Sequence, residues 1–338
     1  MVKNYPCPNC GASMQYDIKL GKILCDHCGT SIDVQEADQL SSASGDTGEE
    51  HPASYTCSSC GGVIEADPKA VTSLCPYCGS PLVFTDRLEG DMRPTGVLPF
   101  THSRDDAVSA FRKWCHNGRF SPPGFASAHN IQNLKPLYIP YWLYDTDVRA
   151  QAHASATRVR VYVRGDMEYT ETDFYQLYRS MNIHYHDVPY DASEKFDDTL
   201  SSKLLPYDFS QLQAFRLPYL AGFDASQRDY TAQELMPLIE ERLDAYSEKE
   251  LRGTMAGYDT VTITDQHYDY ENPVSRYVYL PIWFISYRYR ENDYIFAMNG
   301  QTGKVIGKPP ISKAKIAMWW MMLTGIIFAV LILIGVFI

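Results

Sequence analysis

Through most of the chain apolar residues recur at the helical or the strand period, and only near the C-terminal end do they run without a break. Ala107, Val108, Phe111, Trp114 and Cys115 fall on one helical stripe behind Ser103-x-x-Asp106 and ahead of Gly118. This predicts an amphipathic helix with a capping box at its start and a glycine stop. Cys115 reads as a small buried hydrophobe of that stripe. A second helix is expected from Thr231 to Leu251, with Leu235, Leu238, Ile239, Leu243 and Tyr246 on its apolar face and Thr231-x-x-Glu234 as its cap. Pro237 conflicts with that start, so the helix begins late or is kinked in its first turn.

The strand period governs much of the rest. Val159, Val161 and Val163 alternate with Arg158, Arg160 and Arg164, and Gly165-Asp166 turns the chain into Met167 to Tyr178. That predicts a hairpin with one wet, basic face. Further strands are expected at Thr260 to Thr264, Ser275 to Tyr289 and Tyr294 to Met298, with turns at Glu291-Asn292-Asp293 and Asn299-Gly300. Tyr138-x-Pro140-x-Trp142 is echoed by Tyr279-x-Pro281-x-Trp283. Proline places each copy on an edge strand or bulge, and the two tryptophans are expected to anchor one core rather than to line a pocket.

Ala317 to Ile338 is apolar throughout, 22 residues without a charge. As a helix it would extend about 33 Å, enough for the hydrocarbon of a bilayer. Trp319 and Trp320 sit where an aromatic belt would, and Lys304, Lys308, Lys313 and Lys315 precede the segment with no acid from Gln301 to Ile316. The expectation is a single-pass, tail-anchored protein of the cell membrane. Its N-terminal bulk would lie in the cytoplasm, and lipid would contact the C-terminal helix.

The cysteines change the picture at the other end. Cys7-x-x-Cys10-Gly and Cys25-x-x-Cys28-Gly are repeated fifty residues later as Cys57-x-x-Cys60-Gly and Cys75-x-x-Cys78-Gly, with Tyr5 answered by Tyr55. Cys7, Cys10, Cys25 and Cys28 form one expected zinc site; Cys57, Cys60, Cys75 and Cys78 form the other. The glycine after each pair is expected to let backbone amides reach the sulfurs without a Cβ clash. Each copy is too short to bury a sufficient core, so metal binding supplies the folding free energy. Four sulfur ligands leave no open coordination position, which makes both zinc ions structural. Disulfides need an oxidising compartment, and Met1 to Pro6 carries no apolar export segment. Rubredoxin-like iron suits the same ligands, but the fourteen-residue spacer favours a zinc ribbon.

Charge narrows the partners. Met1 to Asp86 holds four lysines, no arginine and eleven acids, a balance of −7 within a chain of −11. Ribbons this acidic repel a phosphate backbone, so protein docking is expected rather than nucleic acid. A membrane-tethered nucleic-acid binder using Arg158, Arg160, Arg164 and the juxtamembrane lysines is the alternative. The expected organisation is multidomain: zinc ribbon 1 at 1–35, a flexible acidic linker at 36–54 that lets the ribbons move independently, and zinc ribbon 2 at 55–86. A mixed α+β domain rich in antiparallel strands follows at 90–312, then the transmembrane helix at 317–338.

The Pro99-Phe100 segment, Tyr138 to Asp145, Asp187 to Ser193, Pro206-Tyr207-Asp208, Pro218 to Phe223 and Tyr279 to Lys304, with its Asn299-Gly-Gln-Thr-Gly303-Lys304 turn, resemble a bacterial family. Its members are TFIIB-type zinc-ribbon proteins with a C-terminal membrane segment, often labelled primosomal helicase-like. The helicase label does not carry over, because Gly300 to Lys304 has neither the spacing nor the hydroxyl of a phosphate-binding loop. The resemblance implies an adaptor or scaffold in envelope stress, with phage-shock-type or band-7 proteins as partners. His184-x-His186 beside Asp187 and Asp191 is the raw material of an acid-base or metal site, yet no nucleophile or orienting group accompanies it. The chain is therefore expected to be no enzyme, with no small-molecule substrate.

Overall fold

The computed structural model describes residues 2–42, 54–117, 121–122, 131–194, 196, 198–289 and 292–337. Gly118, Glu291 of the expected Glu291-Asn292-Asp293 turn, positions 43–53 of the expected linker and Ile338 of the expected transmembrane helix lie outside them.

The first ribbon contains β1 (Val2–Lys3), β2 (Gln15–Asp17), β3 (Lys22–Leu24) and β4 (Ser31–Ile32), and the second β5 (Ser54–Thr56), β6 (Val63–Glu65), β7 (Thr72–Leu74) and β8 (Pro81–Phe84). The expected linker is corrected at its start. Helix α1 (Val34–Ser42) occupies it, because Ile32, Val34 and Ala37 are buried and carry an apolar stripe out of β4. The ribbons also do not stand apart. β1 pairs antiparallel with β8, Val2 against Phe84, so the leading strand of the first copy completes the sheet and core of the second. Ser13 Oγ donates to Ser80 Oγ at 2.7 Å.

Next come β9 (Gly96–Val97), α2 (Arg104–Asn117), β10 (Lys135–Arg164), β11 (Met167–Asp191), α3 (Asp198–Leu204), β12 (Gln213–Ala214), β13 (Asp224–Ala225), α4 (Ala232–Gly253), β14 (Thr260–Tyr289), β15 (Asn292–Asn299), β16 (Val305–Ile306) and α5 (Lys313–Phe337). The main sheet runs β11-β10-β14-β15-β16, with β9, β12 and β13 at its margin. Two compact units result. One comprises Met1–Pro140, Lys195–Gln227 and Tyr279–Ile338; the other comprises Tyr141–Glu194 and Arg228–Val278.

In the first unit both ribbons lean on the segment from Leu217 to Ala225. Tyr16 meets Tyr219 and Phe223 at 5.3 and 6.0 Å between ring centroids, and Val71 N–H donates to Ala225 O at 2.8 Å. Phe100, Tyr138, Phe223, Tyr279 and Trp283 form the aromatic centre, with Trp283 Nε1 donating to His102 O at 2.9 Å. α2 starts as its capping box dictates, Ser103 N–H and Oγ both reaching Asp106 Oδ2.

In the second unit Ala150, Ala152, Ala154 and Ala156 line one face of β10, small enough for Leu251 and Met255 to close over them. Further along, Leu235, Ile239 and Leu243 of α4 pack on Tyr144 and Val148. α4 begins at its Thr231 capping box and continues through Pro237 without a late start. Trp142 belongs here, its Nε1 donating to Tyr230 O at 3.0 Å. The two tryptophans thus anchor the cores of different units rather than one core.

The prolines of the repeated motif are not on edge strands, since β10 and β14 are both interior in the sheet order. Pro140 falls where β10 exchanges partners, between β13 at Leu137 and Tyr138 and β11 from Tyr141 onward. Pro281 lies just before the first β14–β15 pair, Ile282 with Asn299. At such junctions a missing amide donor costs no ladder bond. The two strands expected at 260–264 and 275–289 belong to one element, because the polar stretch between them continues β14, interrupted in its geometry only at Asn272, with φ +51°.

Candidate metal centres and the groove between the ribbons

Each cysteine pair sits on the same knuckle. Cys7 N–H donates to Ala12 O at 2.7 Å and Gly11 N–H returns to Cys7 O at 2.8 Å, and the pattern repeats at Cys25/Gly29, Cys57/Gly61 and Cys75/Gly79. The four glycines have φ of +75°, +75°, +72° and +73°. A Cβ built on any of them meets nothing within 4 Å. The glycines are therefore required by the left-handed backbone, not by crowding at the sulfurs as expected.

The knuckles bring all eight predicted ligands into two clusters, Cys7, Cys10, Cys25 and Cys28, and Cys57, Cys60, Cys75 and Cys78. Cys7 and Cys28 Sγ are 3.5 Å apart, as are Cys10 and Cys25; the second cluster has 3.8 Å for Cys57–Cys78 and 3.7 Å for Cys60–Cys75. A tetrahedron with zinc–sulfur bonds of about 2.3 Å has sulfurs about 3.8 Å apart. The donor set and its spacing fit a zinc ion in each cluster.

Electrostatics prepares the ligands unequally. The Thr30 hydroxyl, with the Thr30 backbone N–H, holds the Cys28 thiol down at about 6, and Ser80 does the same for Cys78. The Ala12 N–H pulls Cys10 down, but Cys28, burial, Cys25 and Cys7 together raise it to about 12. One thiol in each cluster is thus ready as thiolate while another keeps its proton until a cation takes it.

The histidine motif comes apart differently. His186 Nδ1 lies 2.8 Å from Asp145 Oδ1 and its Nε2 3.1 Å from Asp187 Oδ2. His184 pairs instead with Asp147 at 2.6 Å, and Asp191 is buried elsewhere, accepting from Ser193 N–H at 2.9 Å. Asp145, His186 and Asp187 could hold an ion by their spacing, but the Arg276 guanidinium contacts both carboxylates. The cluster therefore already contains a cation. Asp145, at a register shift of β10, and Arg276, distant in sequence, were missed because only strand pairing joins them.

A groove of about 560 Å³ opens in the first unit between β2, β7, the start of α2 and residues 132–136 and 220–224. Both ribbons supply walls. Two ion pairs lie in its lining, Lys19 with Asp105 at 3.3 Å and Lys135 with Asp224 at 3.4 Å, and Asp17 Oδ1 accepts from Leu20 N–H. Arg104 donates to the carbonyls of Leu134 and Ile131. Leu20, Val63, Leu74 and Tyr77 project large apolar surface from the ribbons, between 55% and 69% exposed.

Helix α5 is long and apolar enough to cross a membrane, starting four residues earlier than expected. Two of the four flanking lysines are engaged within the protein: Lys304 donates to Leu205 O and Lys315 to Ser121 O.

No family model matches the chain, and no solved structure matches it. It is similar to the uncharacterized protein YdjG of Bacillus subtilis (strain 168), 44% identical over 335 residues that cover 99% of this chain and 98% of that protein. With that identity sustained over nearly the whole of both chains, the protein belongs to the YdjG family.

Proposed function

We propose that this protein is a membrane-held adaptor: zinc in both four-cysteine sites folds the ribbons, α5 holds the chain in the bilayer with its bulk on the cytoplasmic side, and the ribbons dock a protein partner. The observation that carries this reading is the groove, whose walls come from both ribbons and whose charged side chains are engaged by one another or by backbone groups, leaving Leu74 to offer apolar surface at its rim. Closed metal sites favour a structural over a catalytic role. Ribbon acidity favours protein over nucleic acid, and Arg158 and Arg160 are occupied by Gly257 O and Asp173. Membership among TFIIB-type zinc-ribbon proteins, and partners of the phage-shock or band-7 kind, belong to the same proposal.

The test is crosslinking and purification from native membranes of the wild type, of a variant with Cys7, Cys10, Cys57 and Cys60 changed to serine, and of Leu74→Glu. A defined partner that is lost from both variants, while Leu74→Glu keeps two zinc ions per chain, supports the reading. A partner retained by both removes the ribbons as the docking surface.

A further inference from the structure

The end of the β10–β11 hairpin reverses the polarity of the sheet that carries it. From Ala150 to Ala156 the even positions of β10 are buried alanines, and the odd ones from Gln151 to Thr157 are polar. From Arg158 onward the even positions are Arg158, Arg160, Tyr162 and Arg164, with Tyr162 stacked on Tyr169, and the odd ones are Val159, Val161 and Val163, which are 41%, 58% and 70% exposed. No bulge intervenes, since the register runs unbroken from Thr146 opposite Tyr185 to Arg164 opposite Met167. The valines consequently lie on the sheet face opposite the alanine core. Phe174, opposite Thr157 and 81% exposed, shares that face, as do Thr170 and Thr172.

The third strand stops at the same point. Asp259 N–H donates to Thr157 O at 2.9 Å, and its carboxylate accepts the Val159 N–H at 2.5 Å. Beyond this, Arg158 to Asp173 is a two-stranded arm of seven residue pairs, exposed on both faces. Such a hairpin is marginal in water without a further strand. The Val159 bond shows which way the odd residues face, so Val161 and Val163 turn their N–H and C=O groups outward on β10. By the same alternation Thr170 and Thr172 do so on the outer edge of β11.

The two edges differ in charge. β10 carries Arg158, Arg160 and Arg164, and β11 carries Glu168, Glu171 and Asp173. Joining two β10 edges would set arginine beside arginine, and joining two β11 edges acid beside acid; both are unfavourable across a strand pair. A β10 edge against a β11 edge repeats the Arg160–Asp173 pairing already made within the arm at 3.0 Å. We propose that the arm binds a second copy of this chain by strand addition, β10 edge to β11 edge, so that successive chains join head to tail in one sheet. The face that carries the valines and threonines, with Glu168 opposite Val163, becomes continuous in that sheet.

The experiment uses full-length protein in detergent micelles, with mass read by light scattering over a concentration series. Wild type should grow in multiples of its 38.4 kDa chain and shrink as salt rises. Val163→Pro blocks the β10 edge and Thr170→Pro the β11 edge, in each case at an outward amide that makes no bond within the hairpin. Each variant alone should remain a single chain. Their equimolar mixture should stop at two chains, because each brings one intact edge of the needed kind. Val161→Lys keeps every backbone group and should also abolish growth, which covers a misfolded proline variant; circular dichroism and zinc content check the fold. A wild type that stays a single chain, growth in Val161→Lys, or folded proline variants that fail to combine overturns the proposal.

Discussion

Changing Gly29 to alanine isolates a conformational cost from every other term at a zinc knuckle. Gly29 has φ +75°, and an added Cβ has no neighbour within 4 Å. Neither a clash nor a lost hydrogen bond accompanies the change, so its cost is that of an L residue in the left-handed region, about 1–2 kcal/mol. The metal-free ribbon lacks the core to hold this turn, so the penalty falls on the metal-bound state and appears as weaker zinc affinity. The expected loss is about 5–30-fold. Competition for zinc against a chromophoric chelator, on the full-length protein in detergent, measures it. Gly29→Asn should lose less, since asparagine enters this region more readily. Gly253→Ala, at the end of α4 with no positive φ and no neighbour, should leave zinc affinity unchanged. Wild-type affinity in Gly29→Ala, or an equal loss in the asparagine variant, refutes the reasoning.

Two further outcomes follow from the geometry. At pH 8, zinc loading should release protons, because Cys10 and Cys60 are pushed up to about 12 and must lose theirs to bind. Cys28 and Cys78, held at about 6, are already thiolates there; as pH falls through 6 they gain protons and zinc affinity should drop more steeply. An indicator dye in weak buffer reads the release, and none at pH 8 would contradict the ligand assignment. Asn299→Ala should destabilise the first unit by about 3 kcal/mol in urea unfolding, because buried partners lose their bonds. The Asn299 amide donates to Leu204 O and Pro206 O, and its oxygen accepts from Gln301 and Thr302 N–H. A loss under about 1 kcal/mol would mean water replaces those bonds.

Local rules made part of this fold legible. The two capping boxes, the apolar stripes of α2 and α4, the Gly165 turn and the eight cysteines all act over a few residues, where side-chain type and spacing determine the geometry. What could not be read depends on partners remote in the chain. β1 looks like the start of the first ribbon, yet Val2 packs against Phe84 in the second. Asp145 and Arg276 meet only because β10 and β14 are neighbours. The polar middle of β14 has no strand signal of its own and is held in the strand by its place in the sheet, Asn272 alone among its residues turning to φ +51°. Val159, Val161 and Val163 were correctly placed on a hairpin, but alternation alone cannot say whether an apolar face meets its own core or is left open.

The Asn299-Gly-Gln-Thr-Gly303-Lys304 turn shows how distinctive residues can arise without ligand chemistry. A phosphate-binding loop must present backbone N–H groups that have no other acceptor. Here Gly300 N–H donates to Pro281 O, Gln301 and Thr302 N–H to Asn299 Oδ1, and Gly303 N–H to Asn299 O. Lys304, which a phosphate would need, is turned to Leu205 O. The glycines have their own reasons: a Cβ on Gly300 would lie 2.6 Å from the Phe100 ring and 2.8 Å from Pro281, and one on Gly303 would lie 2.7 Å from His102. Every feature that makes the string resemble a nucleotide loop is consumed in joining β15 to α3 and to the aromatic centre. The turn therefore reports how the first unit is built, and binding has to be sought where surface is left open, on the ribbons and on the hairpin arm.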